Sequence, residues 1–305
     1  MNPPLSPLDP AVLRQAMLAP DGEYARVELV AQTGSTNADL VTAAASGQWP
    51  DLAVLVAENQ LAGRGRLDRQ WSTATGSSAI SSVLLRPEGD DRLPPLPQES
   101  YSWITLLAAV ALCEALAVTA GLNADLKWPN DVLVDGRKIA GILAQLVPAP
   151  APTASTAGAV STAGPAVVVG TGINVGQSQD ELPVPTATSL ALEDATTLDR
   201  NALLPDYLNR FARLYRSFRT VGGDPGQPLE GDSSLLELVS ARMVTLGSEV
   251  RAELPGGLTL QGRAVGLDRH GSLLVADSAG ITHAVSAGDV VHLRRHEAQG
   301  PGAYA

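Results

Sequence analysis

The clearest hydrophobic periodicity in the chain runs from about Asp199 to Arg219. Leu203, Leu204, Tyr207, Leu208, Phe211, Leu214, Tyr215 and Phe218 recur at i, i+3 and i+4, the spacing of one helix face, so the aromatic stripe is read as core packing. A second helix is expected from about Ser102 to Ala120, nearly all apolar and ending at Gly121. Two shorter helices precede these. One has Asp9 as N-cap, Pro10 at its first position and Val12, Leu13, Ala16 and Met17 on one face; the other is capped by Thr36 or Asn37 and stops at Gly47. Short apolar runs at Leu52 to Ala57, Ala79 to Leu85 and Ala166 to Val169 read as strands. From Met243 to Leu293, short β-like runs alternate with turns at Pro255-Gly256-Gly257, His270-Gly271, Ala279-Gly280 and Ala287-Gly288-Asp289, the pattern of a small β-barrel.

One hairpin carries chemistry. Asp135-Gly136 lies between Val132-Leu133-Val134 and the run Ile139 to Leu143, which predicts a two-residue turn. That register places Val134 opposite Arg137, Leu133 opposite Lys138 and Asp131 opposite Ala140. Asp131, Leu133, Lys138 and Ala140 then share a face, and an acid and a base become diagonal neighbours.

Composition narrows the possibilities. With 305 residues the chain has room for one large domain or two smaller ones. Its divisions are expected at 1–24 (an extension with one short helix), 25–240 (the main domain, with a flexible insertion at 148–165), 241–295 (the barrel) and 296–305 (a tail). The insertion is uncharged and rich in Ala, Pro, Thr, Ser and Gly. A net charge of -11 is the wrong sign for general attraction to nucleic acid, and 4% aromatic residues offer little base-stacking surface. The lone Cys113 cannot form an intrachain disulfide, and the N-terminus has four prolines and no basic segment, so a reducing, cytoplasmic setting is expected. The apolar run Ile104 to Val118 contains Glu114 and is shorter than a bilayer span, so no membrane segment is expected.

Several clusters offer candidate chemistry. Gly63-Arg64-Gly65-Arg66 can present backbone N–H groups and guanidiniums to an anion, although Gly/Arg turns are common on surfaces. Lys127-Trp128-Pro129-Asn130-Asp131, followed by Lys138-Ile139-Ala140-Gly141-Ile142-Leu143, concentrates two lysines, an amide and a carboxylate, suited to a nucleotide, its metal ion and a carboxylate substrate. Gly34-Ser35-Thr36-Asn37 sets hydroxyls and an amide at a helix start, which also suits a simple cap. Gly170, Gly172 and Gly176 fail the dinucleotide-binding spacing, so a Rossmann site is rejected. His270, His283, His292 and His296 have no ligand partners at metal-site spacing and are taken as surface residues.

Taken in order, Gly34-Ser35-Thr36-Asn37, Gln60-x-Ala62-Gly63-Arg64-Gly65-Arg66 with Trp71, Lys127-Trp128-Pro129-Asn130-Asp131, Lys138-x-Ala140-Gly141-Ile142-Leu143 and Gly172-Ile173-Asn174 resemble the biotin protein ligases, over roughly Val27 to Arg294. The likeness is to the bacterial group without a DNA-binding domain, since 24 preceding residues cannot hold a winged helix-turn-helix. It implies an α+β fold: a mixed sheet flanked by helices, as in class II aminoacyl-tRNA synthetases and the biotin-lipoate ligase catalytic domain, with a C-terminal SH3-like β-barrel.

The resemblance also implies a two-step reaction. Biotin and Mg-ATP give biotinyl-5'-AMP, and a lysine of a biotin carboxyl carrier protein of an acyl-CoA carboxylase then takes the biotinyl group. Lys138 would touch the biotin carboxylate and the phosphate, and Arg64, Gly65 and Arg66 would close over biotin and adenylate. Ser35, Thr36, Asn37 and Gln60 would hold the biotin head beside Gly141. Trp71, Lys127, Asn130, Asp131 and Asn174 would serve the nucleotide, with Asp131 on Mg2+; Trp128 would stack or merely pack. The protein is expected to be a monomer or homodimer with no DNA or membrane partner.

After Arg66 this chain reads Leu67-Asp68-Arg69 where the family usually has a basic residue or His and then Gly-Arg, so Asp68 puts a negative charge in the closing loop. Two alternatives stay open from sequence: a lipoate or octanoate ligase of the same fold, and a non-catalytic biotin-binding regulator.

Overall fold

The computed structural model describes residues 5–47, 49–66, 69–71, 74–89, 93–149, 164–254 and 258–286, with the backbone of 289–292. Asp68, most of the 148–165 insertion, the turns at Pro255-Gly256-Gly257 and Gly288, His296 and the tail 296–305 lie outside the described residues. In chain order the helices are α1 (Pro10–Met17), α2 (Thr36–Ala45), α3 (Trp103–Ala120), α4 (Arg200–Thr220) and α5 (Leu235–Ser240). The strands are β1 (Arg26–Val30), β2 (Ala53–Ala57), β3 (Gly63–Arg64), β4 (Gln70–Trp71), β5 (Ser78–Leu85), β6 (Asp125–Lys127), β7 (Asp131–Val134), β8 (Arg137–Val147) and β9 (Ala166–Asn174), followed by β10 (Glu249–Glu253), β11 (Thr259–Leu267), β12 (Leu273–Ala276), β13 (Thr282–Val285) and β14 (Asp289–His292).

Seven strands form one mixed sheet in the order β1-β2-β5-β9-β8-β7-β6, in which β1 and β2 are parallel and the other pairs antiparallel. Its long strands β5 and β9 are almost wholly buried because both faces are covered. One face packs against α3 and α4, where the periodic residues of α4 are buried as expected, apart from Leu214, which is partly exposed. The other face carries α2, seated through Leu40 and Ala44 on Leu84 and Val168. The C-terminal strands form a five-stranded antiparallel sheet, β13-β12-β11-β10-β14, the SH3-like unit. Its Val250, Ala252, Ala264, Leu273 and Val275 join the same core as the large sheet.

Helix α3 is long and apolar enough to span a bilayer by length and composition, contrary to the sequence reading, but 72% of it is buried inside the protein. Its hydrophobicity serves the core, and Gly121 ends it in the left-handed conformation (φ 68°). Burial among its apolar neighbours pushes the Cys113 thiol up to about 12, so it stays protonated and unreactive at neutral pH.

The N-terminal extension is bound into the main core. Asp9 caps α1 by accepting from Ala11 N at 2.8 Å, and Leu8, Leu13, Met17 and Tyr24 are buried. Val12, expected on the buried face, is 43% exposed, because α1 has only two turns and docks through the i, i+4 pair Leu13 and Met17. Arg200, whose side chain is wholly buried, donates to Ser6 O at 2.8 Å, to Ser78 O at 3.1 Å and to Glu58 Oε1 at 2.6 Å. One guanidinium thus ties the N-terminal arm, the end of β2 and the start of β5 to α4.

Candidate active site

Three adjacent strands present a floor in which three neighbouring positions are glycine. Pairing aligns Ser82, Gly170 and Leu143 in one row across β5, β9 and β8, and Ile80, Gly172 and Gly141 in the next row on the same face. A Cβ on Gly170 would lie 2.1 Å from Asn37 Oδ1, and one on Gly172 would lie 2.4 Å from Trp71 Cε2. Glycine is required at both positions because another side chain occupies the space. The sequence reading ended this strand near Val169; it runs on to Asn174, and the Gly-x-Gly motif is strand rather than loop.

Asn37 and its neighbours stand over the first row. The cap of α2 is Ser35, not Thr36 or Asn37, with Ser35 Oγ accepting from Ala38 N at 3.4 Å. Thr36 N donates to Gln60 Oε1 at 2.9 Å, and Ser82 Oγ lies 2.7 Å from Thr36 Oγ1 and 2.6 Å from Asn37 Oδ1. Asn37 Nδ2 donates to Leu143 O at 3.2 Å and to Gln145 Oε1 at 2.8 Å. All four motif residues, Ser35, Thr36, Asn37 and Gln60, are therefore buried together at one spot. Ser82 and Gln145 were missed. Their only sequence signal is a polar residue at a floor-facing position of a strand.

The charged end lies along β7 and β8. Lys138 Nζ contacts Asp131 Oδ1 at 2.6 Å, so the acid and base meet as expected. The register differs, however. After Leu133 opposite Lys138, a bulge sets Val132 opposite Ala140 and Asp131 opposite Gly141 rather than Ala140. Ile139 is the extra residue; it and Ala140 are both buried, which breaks strict alternation and turns Gly141 to the site face. A Cβ there would stand 3.3 Å from both Lys138 Nζ and Trp71 Cζ3. Lys127 lies opposite Asp131 in the β6–β7 register.

The Gly-Arg segment forms a two-stranded hairpin, pairing Gly63 with Trp71 and Arg64 with Gln70, while Gly65 N donates to Arg69 O at 2.7 Å. This lays Trp71 over Gly172 and Gly141, with Lys138 Nζ 5.9 Å from its ring centroid and its Nε1 buried with no partner among the described residues. Arg66 reaches Asn130 Oδ1 at 3.4 Å, and Asn130 Nδ2 donates to Ile142 O at 2.9 Å. Arg64 is exposed.

Two expected residues are differently employed. Trp128 packs: it is buried, and its indole N–H donates to Gly271 O of the C-terminal unit at 3.0 Å. Asn174 lies on the floor face, but its amide donates to Thr188 O at 2.9 Å and accepts from Gln177 Nε2 at 3.3 Å, holding the following loop. No group of three metal-ligating side chains occurs among the described residues, and Asp131 is already paired with Lys138. These residues do not build a resident metal site. His270 and His283 are partly exposed, and His283 bonds Asp277 at 2.8 Å.

A neutral polar cluster over a glycine floor, next to a cationic end, can hold an uncharged ring system and two anions side by side. Residues 29–158 match the biotin/lipoate A/B protein ligase family, and residues 245–293 match the biotin protein ligase C terminal domain. The chain is 39% identical over 291 residues to biotin--[acetyl-CoA-carboxylase] ligase of Mycobacterium tuberculosis, covering 94% of this chain and 97% of that protein. It is 31% identical over 246 residues to the bifunctional ligase/repressor BirA of Bacillus spizizenii, covering 80% and 67%. Its fold is similar to that of the biotin protein ligase from Aquifex aeolicus in complex with biotin and ATP, with a TM-score of 0.65 at 24% identity over 89% of this chain and 100% of that one. The chain belongs to the biotin protein ligase family.

Proposed function

We infer that this protein is an ATP-dependent biotin protein ligase that biotinylates a lysine of the biotin carboxyl carrier protein of an acyl-CoA carboxylase. The observation that carries this is the 39% identity along nearly the whole length of a ligase of that name. The joint burial of Ser35, Thr36, Asn37 and Gln60, with Asn37 over Gly170 and Lys138 beside Gly141, supports it.

In the first step a biotin carboxylate oxygen attacks the α-phosphorus of Mg-ATP, the bond to the β-phosphate oxygen breaks and pyrophosphate leaves. Two anions must approach each other, and Lys138 Nζ, beside the floor at Gly141, is the cation placed to stabilise the charge that develops. Gln60, Ser35, Thr36 and Asn37 offer the biotin head an uncharged set of donors and acceptors. Arg64, Gly65 and Arg66 cover the mixed anhydride and exclude water, Arg66 being tethered to Asn130. Trp71, Lys127, Asn130 and Asp131 border the nucleotide. Magnesium enters with ATP as part of the substrate, held chiefly by phosphates. In the second step the carrier lysine amine attacks the acyl carbon, the amide forms, AMP leaves and the amine's proton is lost.

The reading extends to a cytoplasmic enzyme with no DNA-binding role, in keeping with its single buried thiol and a net charge of -11. ATP–pyrophosphate exchange with biotin, lipoate, octanoate or no added acid tests the substrate, and transfer to a carrier domain tests the acceptor. Exchange with biotin alone is expected; exchange with lipoate or octanoate instead would move the chain to the sister activity. Gly170→Ala, whose methyl would collide with Asn37 Oδ1, is expected to raise KM for biotin about tenfold. An unchanged KM would remove Asn37 from the biotin site.

A further inference from the structure

The Asn37 amide can be oriented without ambiguity. Leu143 O can only accept, so the Asn37 atom 3.2 Å from it is the nitrogen, and the oxygen points to the Gly170 side of the floor, beside Ser82. An amide nitrogen carries two hydrogens. The second goes to Gln145, 2.8 Å away, whose own facing atom must therefore be the oxygen. Gln145 stands two residues beyond Leu143 and four beyond Gly141 on the same face of β8, next to the floor but under α2. With both hydrogens engaged and Ser82 donating to the oxygen, a flip of this amide would set its oxygen against Leu143 O and require the Gln145 amide to turn with it. The orientation is locked.

We propose that Gln145 is a positioning residue for biotin: through its Oε1 it holds the Asn37 amide so that Oδ1 is presented to the floor, where a ureido or other N–H donor of the substrate meets it. The assignment rests on the reading of Asn37 as part of the biotin site. Only an acceptor is required of Gln145, so a carboxylate serves equally and a thioether does not. Gln145 is partly exposed, so its replacement leaves the fold intact.

The test is steady-state ATP–pyrophosphate exchange of Gln145→Met, Gln145→Ala, Gln145→Glu, Asn37→Ala and the double variant Asn37→Ala with Gln145→Met. Gln145→Met and Gln145→Ala are expected to raise KM for biotin about tenfold, with kcat and KM for ATP within twofold of the parent. Gln145→Glu is expected within threefold of the parent on biotin, and the double variant no worse than Asn37→Ala alone. If Asn37→Ala raises KM for biotin and both Gln145→Met and Gln145→Ala leave it unchanged, the positioning role is wrong. Losses in Gln145→Glu as large as in Gln145→Met, or additive losses in the double variant, also overturn it. An unchanged KM in Asn37→Ala overturns the underlying site assignment instead.

Discussion

Replacing Lys138 by Ala is expected to lower biotin-dependent ATP–pyrophosphate exchange by about 10²–10³-fold, the cost of removing one preorganised charge donor from a reacting oxyanion. The side chain is one-third exposed, so losing its pair with Asp131 should change folding by less than about 1 kcal/mol. The backbone bonds at this position, Lys138 N to Thr186 O and Thr188 N to Lys138 O, survive the substitution. Lys138→Arg keeps the charge but needs more room where Gly141 and Trp71 crowd Nζ, so only partial recovery is expected. A thermal melt alongside the exchange assay separates chemistry from folding. Exchange within threefold of the parent for Lys138→Ala would remove Lys138 from catalysis.

The largest stability effect is expected at Glu58. Arg200 has no exposed side-chain surface, while Glu58 remains 24% exposed, so neutralising the acid leaves a buried guanidinium facing neutral oxygens alone, those of Ser6, Ser78 and the new amide. Glu58→Gln should destabilise by about 3 kcal/mol, because an uncompensated charge is left in the interior. Replacing both partners removes that charge. The double variant Glu58→Gln with Arg200→Met should accordingly be more stable than Glu58→Gln alone, by about 1 kcal/mol. Chemical denaturation of the variants checks the order, and a double variant less stable than the single one would show that the Ser6 and Ser78 contacts outweigh the charge.

Most local signals read correctly, the cap of α2 at Ser35 rather than Thr36 or Asn37 being the exception. The i, i+4 aromatic stripe of α4 required its buried face, Gly121 closed α3, and Asp135-Gly136, both at positive φ, formed the predicted tight turn. The other errors arose where a long-range neighbour set the outcome. Strict alternation put Asp131 opposite Ala140, but burying both Ile139 and Ala140 under α3 favours a bulge, and Gly141 takes that place. Val12 was assigned to a face that two turns of helix docking on α4 do not reach.

The candidate site divides the same way. Its ordered motifs, the helix-start hydroxyls, the Gly-Arg segment and the acid–base hairpin are legible from the sequence because each lies within a few residues and depends on residue type. Ser82 and Gln145 are 45 and 108 residues from Asn37, and nothing local marks them as its partners. Nor does the sequence tell that Gly170 and Gly172 leave room for Asn37 and Trp71, that Trp128 donates to the C-terminal unit, or that the Asn174 amide holds a loop. Those contacts follow from strand order and register, which are decided by which buried faces pack together across the whole chain, and only the tertiary structure settles that.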